Sequence, residues 1–305
     1  MKTLLITGGA GFIGSHLCLI LLKSNYSLFV VDSYINSSPE SLERVKVLSN
    51  KSKEYIQNNL RIVHGDLRDK NTIKKLFLNA KNIGRPITGV IHLAGLKSVA
   101  ESIICPSTYW ENNVIATRNL LDVMIENDCC TIVFSSSASI YNSNSRILNE
   151  NTNIKALHPY ANTKIIIEKI LYDVFTREPN KWRIACLRYF NPIGAHTSGL
   201  IGEDPLGVPN NIFPRIIKVA SGEIKNLTIF GNDWPTLDGS GVRDFIHVMD
   251  LAEGHLSALS YLFHQGPKFL NINLGTGKGT SVLELIKTFE RINKVKVPLI
   301  FSERR

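Results

Sequence analysis

The chain has 305 residues, 44% of them hydrophobic, with a mean hydropathy of +0.01, which allows one large or two modest domains with a real core and excludes a disordered chain. Net charge is +9 and the pI is near 9.3, yet the basic residues are scattered, so a lysine-rich surface or a bias toward an anionic small substrate is favoured over nucleic acid. No apolar run nears ~18 residues, Leu4-Leu5-Ile6 is too short for a signal core of ~7–15 residues, the five cysteines lack C-x-x-C and the eight histidines lack H-x-x-x-H; a cytoplasmic protein with reduced thiols, no metal and no membrane contact is expected.

In chain order, β-branched apolar runs alternate with stretches of helical period. Residues 3–7, 28–31, 60–63, 89–93, 131–134 and 183–187 read as buried strands, and 12–23, 39–53, 70–79, 106–127 and 159–177 as the helices between them. Such alternation predicts an α/β fold with a Rossmann-like, doubly wound parallel sheet. After Tyr189, Gly, Pro and Asn become frequent. This predicts a smaller, loop-rich α/β region with helices near 212–221, 248–263 and 281–293.

Gly8, Gly11 and Gly14 form G-x-x-G-x-x-G between the first strand and the first helix. Glycines there permit a tight turn and close backbone approach to a pyrophosphate, which the helix N-terminus then attracts. Eighteen residues after Gly14, Asp32 ends the second strand. A carboxylate at that place bonds the ribose hydroxyls and repels a 2′-phosphate, so NAD is expected rather than NADP. Asp66, after the third strand, is placed to accept from the adenine amino group.

Tyr160 and Lys164 are four apart at the start of a predicted helix and so share a face. A free phenol, with a pKa of ~10, is a poor base at neutral pH; a nearby ammonium is expected to lower it. Ser135-Ser136-Ser137 closes the fifth strand at the same crevice and offers a hydroxyl to the substrate oxygen.

These stretches, with VIHLAGLKSVAES, LRYFNPIGAH, GEDPLGVPNNIFP, IFGNDWPTLDGSGVRDFIHV and NLGTGKG, resemble the extended short-chain dehydrogenase/reductase family, and within it the UDP-glucose 4-epimerases, over nearly the whole chain. The resemblance implies reversible C4 epimerisation of UDP-glucose and UDP-galactose through a 4-keto sugar, with hydride passing to bound NAD and back. It implies Ser137, Tyr160 and Lys164 as catalytic residues. For the cofactor it implies Phe12, Ile13, Asn36, Asp66, Leu67, Leu93, Ala94, Gly95, Lys97, Asn113 and Phe190, with Ser137, Tyr160 and Lys164 again, beside the glycines and Asp32. For the UDP-sugar it implies Lys97, Ser137, Tyr160, Asn191, Asn211, Phe230, Arg243 and Arg305. It assigns 1–189 to an NAD-binding domain, to which 242–265 returns, and 190–241 with 266–305 to a UDP-sugar domain. By analogy, helices 106–127 and 159–177 would form a homodimer contact.

Three departures are visible. Asn142 stands where the family has Gly, and Tyr160-Ala161-Asn162-Thr163-Lys164 varies the intervening residues while keeping the pair. Family members also continue past the Arg-Arg pair with a segment that helps set sugar size, so an incomplete C-terminus is expected and acceptance of N-acetyl sugars is not set. A 4,6-dehydratase would need a carboxylate where Ser136-Ser137 stands. Another NAD-dependent sugar-nucleotide enzyme, or an inactive NAD/UDP-sugar-binding protein, is the alternative.

Overall fold

A computed structural model of the chain describes residues 1–142, 147–207 and 209–304. The strands are β1 (Thr3–Thr7), β2 (Ser27–Asp32), β3 (Leu60–His64), β4 (Ile87–His92), β5 (Thr131–Ser137), β6 (Arg183–Tyr189), β7 (Asn191–Ile193), β8 (Leu227–Phe230), β9 (Val242–His247), β10 (Lys268–Leu274), β11 (Gly279–Ser281) and β12 (Leu299–Ser302). The helices are α1 (Phe12–Lys23), α2 (Glu40–Leu48), α3 (Lys53–Asn59), α4 (Lys70–Asn82), α5 (Val99–Ile104), α6 (Pro106–Tyr109), α7 (Ala116–Glu126), α8 (Pro159–Arg177), α9 (Ile212–Ala220), α10 (Val248–His264) and α11 (Val282–Asn293). A π-helical turn, Trp110–Ile115, joins α6 to α7.

Seven strands form one parallel sheet in the order β10-β6-β5-β4-β1-β2-β3. Its side chains alternate with the strand period of two. Leu4, Ile6, Leu28, Val30, Val133, Ala185 and Leu187 face the layer of α1, α2 and α10. Leu5, Phe29, Val31, Ile132, Phe134, Ile184 and Cys186 face α4, α7 and α8. Burying each Val, Leu, Ile or Phe among them contributes roughly 1.5–3 kcal/mol. Both faces being covered, the strands read as continuous apolar runs. The chain order reverses between β1 and β4, and the carboxyl ends of those strands open the crevice that such a switch creates.

A smaller core joins Ile216 and Val219 of α9, Leu227 and Ile229 of β8, and Ile286 of α11. Around it, β11-β9-β7 and β12-β8 form two small sheets.

Several elements differ from the sequence reading. The helix expected over 39–53 stops at Leu48, because Asn50 takes a left-handed φ of 53°, and a second helix that was not expected, α3, starts at Lys53, where Ser52 caps it by accepting from the Tyr55 amide. The helix expected over 106–127 is interrupted by the π turn, and α5 precedes it. The seventh strand, β10, was not anticipated. It lies inside the stretch 266–305 that the resemblance gave to the second region, yet it pairs with β6 throughout its length.

Candidate active site

A cavity of about 770 Å³ runs along the carboxyl ends of the sheet, between them and the loops of 191–206 and 210–212. One wall is the glycine turn. Gly8 has φ +69°, and a Cβ there would lie 2.8 Å from the Ala94 amide nitrogen; at Gly14 it would lie 2.2 Å from the Gly8 oxygen. Side chains are excluded at both places by backbone, which is the condition for a pyrophosphate to approach. Gly11 caps α1 with no side chain, and the first turn carries no acid, so the helix N-terminus is open to an anion.

Asp32 is 8% exposed at the end of β2. Its Oδ2 accepts from the Ala10 amide at 2.9 Å, and its Oδ1 from the Tyr34 amide at 2.9 Å and the Ser37 hydroxyl at 2.8 Å. The acid therefore also pins the glycine turn, a task the sequence did not reveal. Phe12, Ile13, Asn36, Leu67, Leu93, Ala94, Gly95, Lys97 and Phe190 line the same cavity. Asp66 does as well, but Arg68 donates to its Oδ2 from Nη2 at 2.6 Å and Nε at 2.9 Å. Those bonds hold its carboxyl below the usual range, so Asp66 meets a base as an already paired carboxylate.

Asn113 stands in the π turn, 1% exposed and behind the cavity wall. Its Oδ1 accepts from the Leu96 amide at 2.8 Å, while Nδ2 donates to the Leu96 carbonyl at 3.1 Å and to Thr163 Oγ1 at 3.0 Å. It thus clips the 95–97 loop to α8. A second chain of bonds backs it. Thr7 donates to His92 Nδ1 at 2.7 Å, His92 Nε2 to Thr117 at 2.8 Å, and Thr117 to the Asn113 carbonyl at 2.5 Å. Burial holds His92 neutral, with its pKa down at about 3.

Ser137, Tyr160 and Lys164 all reach the cavity from β5 and α8. His158 caps α8 by accepting from the Ala161 amide at 3.1 Å and lies parallel to the Tyr160 ring, with centroids 6.0 Å apart. Lys164 is 5% exposed; its Nζ donates to the Ser135 carbonyl at 2.7 Å and lies 5.8 Å from the Tyr160 ring centre. Burial draws its pKa down to about 8, against a smaller upward pull from Glu168. The Tyr160 phenol is not lowered, as the i, i+4 argument expected. Burial raises it, and the hydrogen bond with Ser137 only opposes that. The desolvation cost of a buried phenolate is the larger effect, and the Lys164 ammonium does not reverse it.

Among the expected substrate residues, Lys97, Asn191 and Asn211 line the cavity. Lys97 pairs with Glu203 at 2.9 Å, and Asn211 donates to the same carboxylate oxygen at 2.5 Å. Asn191 donates to the Asp244 carbonyl at 3.1 Å. Phe230 and Arg243 are not brought to this wall; Arg243 is exposed and its Nη1 donates to the Val242 carbonyl at 2.9 Å. Arg305 and the 143–145 part of the polar stretch after Asn142 lie outside the described residues.

The sequence reading missed Glu168, Arg188 and Tyr189. Glu168 follows Lys164 by one helical turn, is 6% exposed, accepts from Ser136 at 2.5 Å and meets Arg188 Nη2 at 2.7 Å. Its i, i+4 spacing from Lys164 was the available signal.

The family model for the NAD dependent epimerase/dehydratase family matches residues 4–275. UDP-glucose 4-epimerase 2 of Arabidopsis thaliana is 48% identical over 305 residues, covering all of this chain and 84% of that protein. The bifunctional UDP-glucose 4-epimerase and UDP-xylose 4-epimerase 1 of Pisum sativum is 44% identical over 306 residues, covering 100% and 85%. The solved structure of UDP-glucose 4-epimerase from Bifidobacterium longum in complex with NAD+ and UDP superposes with a TM-score of 0.91 at 42% identity, covering all of this chain and 87% of that one.

Proposed function

The chain belongs to the NAD dependent epimerase/dehydratase family, and from that premise we propose that it interconverts UDP-glucose and UDP-galactose at C4 with NAD retained in the crevice. One observation carries the reading. Ser137, Tyr160 and Lys164 share a single cavity with the side-chain-free glycine turn and Asp32, and the relatives matched over the full chain are UDP-glucose 4-epimerases.

Bound in that crevice, NAD supplies a hydride acceptor that gives back what it takes, so the sugar passes through a 4-keto state with no net redox. The protein's part is orientation and proton handling. Tyr160 receives the proton of the sugar 4-hydroxyl and later returns it. Ser137, bonded to the Ser139 hydroxyl at 2.9 Å, shares the substrate oxygen. Lys164, still largely an ammonium at neutral pH, opposes the charge that develops on Tyr160. Asp32 selects the ribose hydroxyls, and Lys97, Asn191 and Asn211 receive the diphosphate. Phe230, Arg243 and Arg305 are assigned to the UDP end by the resemblance alone.

We assign a homodimer packed through α7 and α8; exposed Trp110, Ile125 and Tyr172 on or beside these helices support it. A cytoplasmic place and a role in galactose metabolism follow from the same reading, and the five free cysteines suit a reducing compartment. Turnover of UDP-glucose to UDP-galactose by the wild type and by Tyr160→Phe tests the assignment. The substitution should cut kcat by about 10²-fold or more; unchanged turnover would remove the assigned base.

A further inference from the structure

Tyr160 is not the only phenol at this cavity. Tyr189, the last residue of β6, lines it too and is 9% exposed. Its ring packs on His255 of α10 with centroids 5.2 Å apart, and its hydroxyl hydrogen-bonds His255 Nε2. His255 is fully buried, and its Nδ1 lies 2.8 Å from the Leu251 carbonyl. A carbonyl can only accept, so Nδ1 carries the hydrogen. Burial pulls the His255 pKa down to about 4, so the ring is neutral at working pH and Nε2 must be an acceptor. Tyr189 is therefore the donor in this bond.

On its other side Tyr189 pairs across the sheet with Ser137 of β5, two residues from Ser135 on the same strand, and the Ser135 side chain is near enough to act on the phenol. With its own hydrogen committed to His255, its oxygen can only accept there. Ser135 is the residue whose carbonyl holds Lys164. A line of contacts thus runs from α10, on one face of the sheet, through Tyr189 and the paired strands β6 and β5 to the Ser135 carbonyl and the ammonium that α8 delivers from the other.

We propose that His255 and Tyr189 are a positioning pair: His255 locks the Tyr189 hydroxyl away from the cavity, which fixes Ser135 and hence Lys164 and leaves Tyr160 as the one phenol there free to exchange a proton with the sugar. The inference rests on the proposed epimerase reading for its kinetic consequence, but the bond pattern does not.

Two measurements separate those parts. Long-range nitrogen–proton NMR of histidine-labelled protein should show His255 protonated at Nδ1, with an Nε2 signal that moves in Tyr189→Phe. A hydrogen on Nε2 would overturn the pair whether or not the protein epimerises anything. In turnover of UDP-glucose, His255→Phe and Tyr189→Phe should each lower kcat by roughly tenfold, as a small displacement of a reacting group does, with KM unchanged. The double variant should fall no further, and His255→Gln, which keeps an acceptor, should recover most of the loss. Losses that multiply, or a His255→Phe enzyme with wild-type kcat and only a lower Tm, would overturn the positioning role.

Discussion

Lys164 brings an ammonium to a place where 5% of its surface meets solvent. Its folded pKa, about 8, lies below the ordinary 10.5, so the cation is held against the preference of the fold. That opposition is worth on the order of 3 kcal/mol. It is fully present below about pH 8 and fades as pH rises toward 10.5, where the unfolded chain still binds the proton that the folded one has released. Lys164→Met should therefore lose turnover by about 10²-fold or more, while the Tm gap between wild type and variant shifts in favour of the wild type as pH rises through that window. A gap that moves the other way would show that Lys164 is not a strained cation. At this scale much was legible. Gly8, Gly14 and Asp32 were readable because backbone approach and ribose bonding each demand one residue type. The sign of the Tyr160 shift was not, because spacing records which side chains are neighbours and says nothing of how dry their surroundings are.

The elements show where periodicity stops being informative. The run from Pro106 to Glu126 has helical spacing throughout, yet the structure places a π turn in it, and the turn carries Asn113. Such a turn widens the backbone locally and is a common functional site; here it aims an amide across to the 95–97 loop. Asn113→Ala should free that loop, leaving the Leu96 groups without their partner at a cost of about 1–3 kcal/mol, and should weaken NAD retention during gel filtration more than it lowers Tm. Retention equal to wild type would reduce Asn113 to a structural residue. The Glu168–Arg188 pair acts at the same scale. Arg188 also donates to the Tyr141 hydroxyl at 2.9 Å and the Glu150 carbonyl at 3.1 Å, tying β6 and α8 to the loop beyond β5. Arg188→Met leaves the buried Glu168 without its guanidinium partner, which should cost about 3–5 kcal/mol. β10 was unreadable for a different reason: its sequence, KFLNINL, places Asn in alternation with apolar residues, the pattern of an edge strand rather than of a buried one.

For the molecule as a whole, the +9 charge does not gather at the cavity. Asp32, Glu40, Asp66, Glu101, Glu203 and Asp204 outnumber Arg44, Lys97 and Lys164 in its lining. Basic residues collect elsewhere, as at a cleft of about 460 Å³ by the end of α11, where Lys287, Arg291, Lys294 and Lys296 meet Glu290. Long-range steering is then weak, and recognition of a UDP-sugar rests on short-range contacts and on the retained nucleotide. That retention separates an epimerase from an ordinary dehydrogenase built on the same sheet, and it can be measured without a variant. Purified chain, given UDP-glucose and no added nucleotide, should form UDP-galactose up to a fixed ratio and should release no free NADH. Absence of UDP-galactose even after saturation with NAD, or NADH released in step with sugar consumed, would contradict the assignment.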